Sequence, residues 1–171
     1  MSGTAQDARL TAKSFVGDTE KNGKVQKDIM SVYNKLTKRH LNCKVNAWCA
    51  CFIVVVLYLC GIAKSKIYKS SGCTQQLAYY RKKKRFRPNG STPQVGDIVF
   101  YNFKTPKGAN TKKSTHVGIV TSVNYKKKGY IYVCEGNKKL ANGVDGVGYR
   151  HINYKSKYIV GFGVPYYNKA A

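Results

Sequence analysis

The stretch NAWCACFIVVVLYLCG, residues 46–61, decides the fold. Within it Cys49, Phe52, Ile53, Val56, Leu57 and Cys60 recur at i, i+3, i+4, i+7, i+8 and i+11, the spacing of one helical face. Its Ile-Val-Val-Val run has strand propensity, but an apolar segment of this length suits a helix buried on most sides, with Gly61 as its stop. The uncharged run at 47–63 is shorter than the roughly 20 residues that span a bilayer. It therefore reads as a core element, and no transmembrane segment is expected.

Working outward, Val25, Ile29, Val32 and Leu36 mark one face of a second helix over 24–41, and the cap-rich connector 42–46 joins the two. Residues 1–22 are polar and read as a loosely packed lead-in, leaving 23–168 as the folded domain. Downstream, Cys73, Leu77 and Tyr80 suggest a short helix, followed by the charge run RKKKRFR (81–87) and the turn-rich PNGSTPQVGD (88–97). The period then changes to two. Residues 97–101, 116–123, 130–135 and 158–162 read as strands, with a fainter alternation at 147–152. Helices first and an antiparallel sheet after them make an α+β architecture, and 171 residues fit a single domain.

Thirty-one Lys and Arg against seven Asp and Glu give a formal charge of +24. A positive potential of that size calls for a polyanionic partner. Nucleic acid, anionic lipid and a teichoic-acid-bearing cell wall all qualify. Hydrophobic residues at 43% and fourteen tyrosines exclude a disordered polymer. The six cysteines (43, 49, 51, 60, 73 and 134) form no CxxC pair and no zinc-finger spacing, so no structural metal is expected and most read as reduced core thiols. The N-terminus has no apolar core of signal-peptide length, which points to synthesis in a cytoplasm without a signal peptide.

Chemistry gathers at Cys49. At the start of a buried helix, unpaired amides and the positive end of the dipole favour thiolate over thiol. Cys51 points about 200° round the same helix, and Cys60 lies three turns deeper. Of His40, His116 and His151, His116 is best placed as the base: it opens the strand HVGIV, and Gly118 on its face leaves room for a helix terminus or a substrate. Glu135, closing YIYVCE, fits the group that orients the imidazole, with Asn137 in reserve or as a partner for the turn backbone. Taken singly, each of these residues reads as packing or as a counter-ion. Their order and settings together read as a catalytic set.

The blocks NAWCACF, PQVGDIVFYNF, STHVGIVTSV, YVCEGN and YIVGFGVPYY resemble, in order and approximate spacing, those of a CHAP domain, the cysteine- and histidine-dependent amidohydrolase/peptidases. The resemblance runs over 25–167 and is strongest to single-domain lysins of phages and prophages of Gram-positive bacteria. Cys73, in SGCTQQL, also looks like a position that relatives fill with cysteine. The resemblance implies a papain-like α+β fold, a catalytic set of Cys49, His116, Glu135 and Asn137, and hydrolysis of an amide bond in peptidoglycan. That bond is either N-acetylmuramoyl-L-alanine or one within the stem peptide or cross-bridge, and the protein would act on the wall after release. The aspartate-rich calcium loop of some relatives is absent, so neither metal nor cofactor is expected. The implied partners are peptidoglycan and anionic wall polymers, with non-specific nucleic-acid binding from the same charge and a monomer as the default state.

Two other readings remain open. In one, the basic runs at 81–87 and 126–128, interleaved with tyrosines, make a nucleic-acid-binding module, although no recognised nucleic-acid motif accompanies them. In the other, the same cysteine site acts on a protein substrate.

Overall fold

The computed structural model describes residues 2–124 and 129–169. Among them four α-helices, α1 (Ala5–Ser14), α2 (Ser31–Thr37), α3 (Cys49–Leu59) and α4 (Cys73–Lys82), precede six strands. These are β1 (Phe86–Pro88), β2 (Ile98–Tyr101), β3 (His116–Asn124), β4 (Tyr130–Lys139), β5 (Asp145–Asn153) and β6 (Ile159–Gly163). They form one antiparallel sheet in the order β1-β6-β2-β3-β4-β5. The expected α+β architecture is present. The basic run at 126–128 lies outside the described residues.

Helix α3 is buried over Cys49–Leu57 and packs across β3 and β4, while α1, α2 and α4 surround its other sides. That enclosure explains a helix apolar on nearly every face. It ends where expected, with Gly61 at φ 100°. The sheet is buried on both faces. Phe100, Val117, Ile119 and Cys134 meet the helices, while Val99, Tyr101, Val120, Ile131, Val133, Ile159 and Phe162 form a second cluster. Among the described residues that second cluster is made by strand residues, with Tyr154 beside them.

Several expectations are corrected. Where residues 1–22 read as a loose lead-in, α1 is a capped helix. The Thr4 side chain accepts from the Asp7 amide, the Asp7 carboxylate accepts in return, and Ala8, Thr11 and Ala12 are buried. The helix expected over 24–41 opens with a π turn (Val25–Met30) and stops at Thr37, because Lys38 takes a left-handed conformation at φ 56°. The end of the charge run at 81–87 is strand β1, held to the sheet by β6 and by an ion pair from Arg87 to the buried Asp97. The faint alternation at 147–152 is the full strand β5, and β4 runs on past Glu135 to Lys139.

Candidate active site

Cys49 is the first residue of α3, and its position is set from three directions. From the sheet, the Asn137 side chain accepts a hydrogen bond from the Trp48 amide at 3.1 Å, capping a helix whose own N-cap residue supplies none. Asn137 reaches it from a bulge in β4 between Glu135 and Lys138, with φ at 54°. Gly136, in the same bulge, has no room for a side chain: a Cβ there would stand 2.6 Å from the Trp48 ring and 2.7 Å from Phe52 Cβ. From the N-terminal segment, Glu20 accepts a 2.8 Å bond from the Trp48 indole. From α4, Gln76 donates to the carbonyl of Ala50 at 3.0 Å and brings the N-termini of the two helices together.

His116 stands at the opening of β3. Its Nε2 lies 3.2 Å from Glu135 Oε2, and Arg150 Nε donates to Glu135 Oε1 at 2.7 Å. Glu135 is fully buried, whereas Arg150 is 30% exposed. The imidazole stacks on Tyr101 (ring centres 5.8 Å apart, 28° between planes), and Phe103 covers it from the solvent side at 6.1 Å. The Ser114 hydroxyl donates to the carbonyls of Tyr101 and His116, and its amide donates to Thr74 of α4. Helix α4 is thereby tied to the base as well as to the thiol.

Gly118 has a different reason from the one expected. A Cβ there would meet Val133 Cγ1 at 2.6 Å, Glu135 Cγ at 2.8 Å and the Cys134 carbonyl at 3.0 Å. The space it leaves belongs to Glu135, not to a helix or substrate. Gly118→Ala should therefore lower stability by about 1–3 kcal/mol through overpacking against the Val133 and Glu135 side chains and the Cys134 carbonyl. Thermal unfolding checks this, and an unchanged midpoint would show that Glu135 can move aside.

The charges form a connected line. The Cys73 thiol, 3.4 Å from Cys49 Sγ, is the largest influence on Cys49 and lowers its pKa well below the usual thiol range. Burial opposes that lowering, while the hydrogen bond and charge of His116 and the Ala50 amide add to it. Burial works against a charged imidazole, yet bonds and charges from Cys49 and Glu135 together push His116 up to about 9. At Glu135 burial is again outweighed, here by His116 and Arg150, and the carboxyl titrates below its ordinary value. Cys51, two residues from Cys49, shows the contrast: burial pushes it up to about 12. The shifts all favour the charged forms of Cys49, His116 and Glu135, with the Arg150 guanidinium at the end of the set.

Residues 42–137, just over half of the chain, match the family model for the CHAP domain. The chain belongs to the CHAP family. CHAP domains are generally cysteine- and histidine-dependent hydrolases, a family of peptidoglycan amidases and peptidases, and the helix-then-sheet arrangement here is that of a CHAP, papain-like domain. The match spans Cys49, Cys73, His116, Glu135 and Asn137. No curated protein and no solved structure matches the chain.

Of the residues singled out in the sequence, Cys49, His116 and Glu135 come together. Asn137 joins them through the Trp48 amide, as a partner of backbone and not of the imidazole. His40 and His151 are exposed, His151 stacking on Tyr132 with the Tyr130 ring tilted against it. Sequence reasoning missed Arg150, which looks like one more surface charge, and the proximity of Cys73, for which only the family resemblance gave a signal. Among the described residues no group of three or more His, Cys, Asp and Glu side chains is placed to hold a metal ion, and no helix is long and apolar enough to cross a membrane.

Proposed function

We propose that this CHAP domain hydrolyses an amide bond of bacterial peptidoglycan by cysteine nucleophilic catalysis. The observation that carries the reading is the unbroken line from Cys49 through His116 and Glu135 to Arg150. The Cys49 thiolate attacks the scissile carbonyl carbon, and the oxyanion meets the Cys49 amide at the helix terminus. With Nε2 of His116 engaged by Glu135, Nδ1 is the ring nitrogen left for the sulfur, and it delivers its proton to the leaving amine. A thioester remains on Cys49. Water, deprotonated by the now neutral imidazole, releases the acyl group and restores the pair. Arg150 holds Glu135 ionised and directed at the ring.

An open groove of ≈ 330 Å³ lies at His116, lined also by Phe103, Thr115, Asn137, Lys138, Lys139 and Arg150. Its lysines suit the carboxylates of a wall stem peptide, and Phe103 offers an apolar face to the sugar or the alanyl methyl. The remaining positive charge, part of a formal +24, suits anionic wall polymers. Retention on purified walls should fall steeply as added salt shortens the Debye length from about 10 Å at 0.1 M to about 3 Å at 1 M. Salt-insensitive retention would assign wall binding to specific contacts instead.

The test of function is clearance of purified Gram-positive peptidoglycan, with mass spectrometry of the released fragments and His116→Ala as control. A new amine and carboxylate at one bond, absent with the control, is the expected result and names that bond. Intact walls, with cleavage of a protein substrate instead, would transfer the same site to a different chemistry. The pH profile adds an independent check. The reactive ion pair exists above the lowered pKa of Cys49 and below that of His116, so the rate should decline above about pH 9, where the imidazolium loses its proton. A rate still rising beyond that point would describe an ordinary thiol.

A further inference from the structure

Cys73 has no part in the hydrolytic cycle, yet its sulfur is 3.4 Å from that of Cys49. A disulfide needs about 2.05 Å between sulfurs, so the two must approach by roughly 1.4 Å. The surroundings favour that approach. Each cysteine is the first residue of its helix, and Gln76 and Thr74 tie the start of α4 to Ala50 and to Ser114 respectively. The two sulfurs face each other because two helix N-termini converge on one point. Other thiols are engaged elsewhere: Cys60 with the Leu57 carbonyl and Cys134 with that of Ala12. All six cysteines are reduced and buried in this state.

We infer that Cys49 and Cys73 form a reversible redox pair, in which a hydroperoxide oxidises the site and Cys73 closes it as an intramolecular disulfide. In the first step the Cys49 sulfur attacks one peroxide oxygen. The O–O bond breaks, Cys49 becomes a sulfenic acid, and the other oxygen leaves as water or alcohol with a proton from the medium. In the second step the Cys73 sulfur attacks Cys49 Sγ, the S–O bond breaks, and hydroxide leaves as water with the Cys73 proton. The two sulfurs give up two electrons in all, and the peroxide takes them. A dithiol reductant reverses the change and is itself oxidised to a disulfide. While closed, the Cys49 sulfur is bonded to Cys73 and is no longer a thiolate able to attack a carbonyl, and it is shielded from further, irreversible oxidation.

This rests on Cys49 being the reactive thiolate of the site, but its test reads thiols and not wall hydrolysis, so either reading can fail alone. The reduced protein is treated with hydrogen peroxide, blocked with a thiol reagent under denaturing conditions, and mapped by mass spectrometry. The expected result is loss of two of the six thiols, a peptide linking Cys49 to Cys73, and full return of both thiols with dithiothreitol. In Cys73→Ser, and in Cys73→Ala should the first fold poorly by circular dichroism, peroxide should take Cys49 to sulfinic acid that dithiothreitol does not recover. The inference is overturned if wild-type Cys49 reaches sulfinic acid while Cys73 stays free. It is equally overturned if Cys49 links to Cys51, or if no thiol is lost.

Discussion

Cys49→Ala should abolish clearance of peptidoglycan, with a fall in rate on the order of 10⁴ or more, since removing the nucleophile of a set that acts as a unit leaves only binding and oxyanion contacts. The fold should survive. Cys49 is 5% exposed at the start of a helix, and the cap from Asn137 and the bond from Gln76 do not depend on its sulfur. Wall binding should also persist, because it depends on surface charge. The measurement is initial clearance rate alongside a pull-down on the same walls. Retained turnover would be informative in a particular way. Cys73 is the next sulfur, also at a helix start, and the activity would then belong to it. In Cys49→Ala the bond to Cys49 that raises this thiol is gone, but burial and the neighbouring Cys51 still push it up, which disfavours that outcome.

Glu135→Gln should be nearly as damaging, for two separable reasons. The amide keeps the shape but carries no charge, so neither the imidazolium nor the guanidinium has its anion. A fall in rate of about 10²–10⁴ is expected from loss of the oriented, charged imidazole. Breaking a buried pair by removing one partner costs about 3–5 kcal/mol, and because Arg150 is 30% exposed we expect the lower part of that range. The pH profile distinguishes an electrostatic role from mere packing. Glu135 is one of the groups holding His116 up at about 9, so without it the alkaline limb should move to lower pH. The linked stability has a definite sign as well. Burial is the largest influence on Glu135, but the His116 and Arg150 partners outweigh it and its folded pKa is depressed. Its contribution is therefore present above the ordinary carboxyl pKa and lost as pH falls through the lowered one. Wild-type activity with an unmoved alkaline limb in Glu135→Gln would remove Glu135 from the site.

The redox pairing of Cys49 and Cys73 and the pH profile draw on the same arrangement. A sulfur kept as thiolate by neighbours attacks a carbonyl readily, and it also attacks a peroxide. A second thiol within reach makes the difference between a reversible and a permanent loss.

The helix-then-sheet order, the course of α3 and the choice of Cys49, His116 and Glu135 as the candidate set came from the sequence itself. Periodicity reports which face of an element is buried, and a nucleophile, a base and an acid each have few candidates in a chain with three histidines and seven acidic residues. What stayed hidden depends on pairings between distant segments. Helix α1 buries Ala8, Thr11 and Ala12, side chains too small to leave a hydrophobic period, and it is held by a capping box and by the room those small residues leave. Strand β1 is concealed in a run of positive charge because the partner that makes it a strand, β6, lies more than seventy residues later. Gly118 and Gly136 could be seen as glycines, but only packing shows that one makes room for Glu135 and the other for Trp48. Arg150 and Cys73 have the composition of an ordinary surface charge and an ordinary core thiol. Their placement beside Glu135 and Cys49 is decided by strand register and by the meeting of two helix ends, which no local pattern of residues encodes.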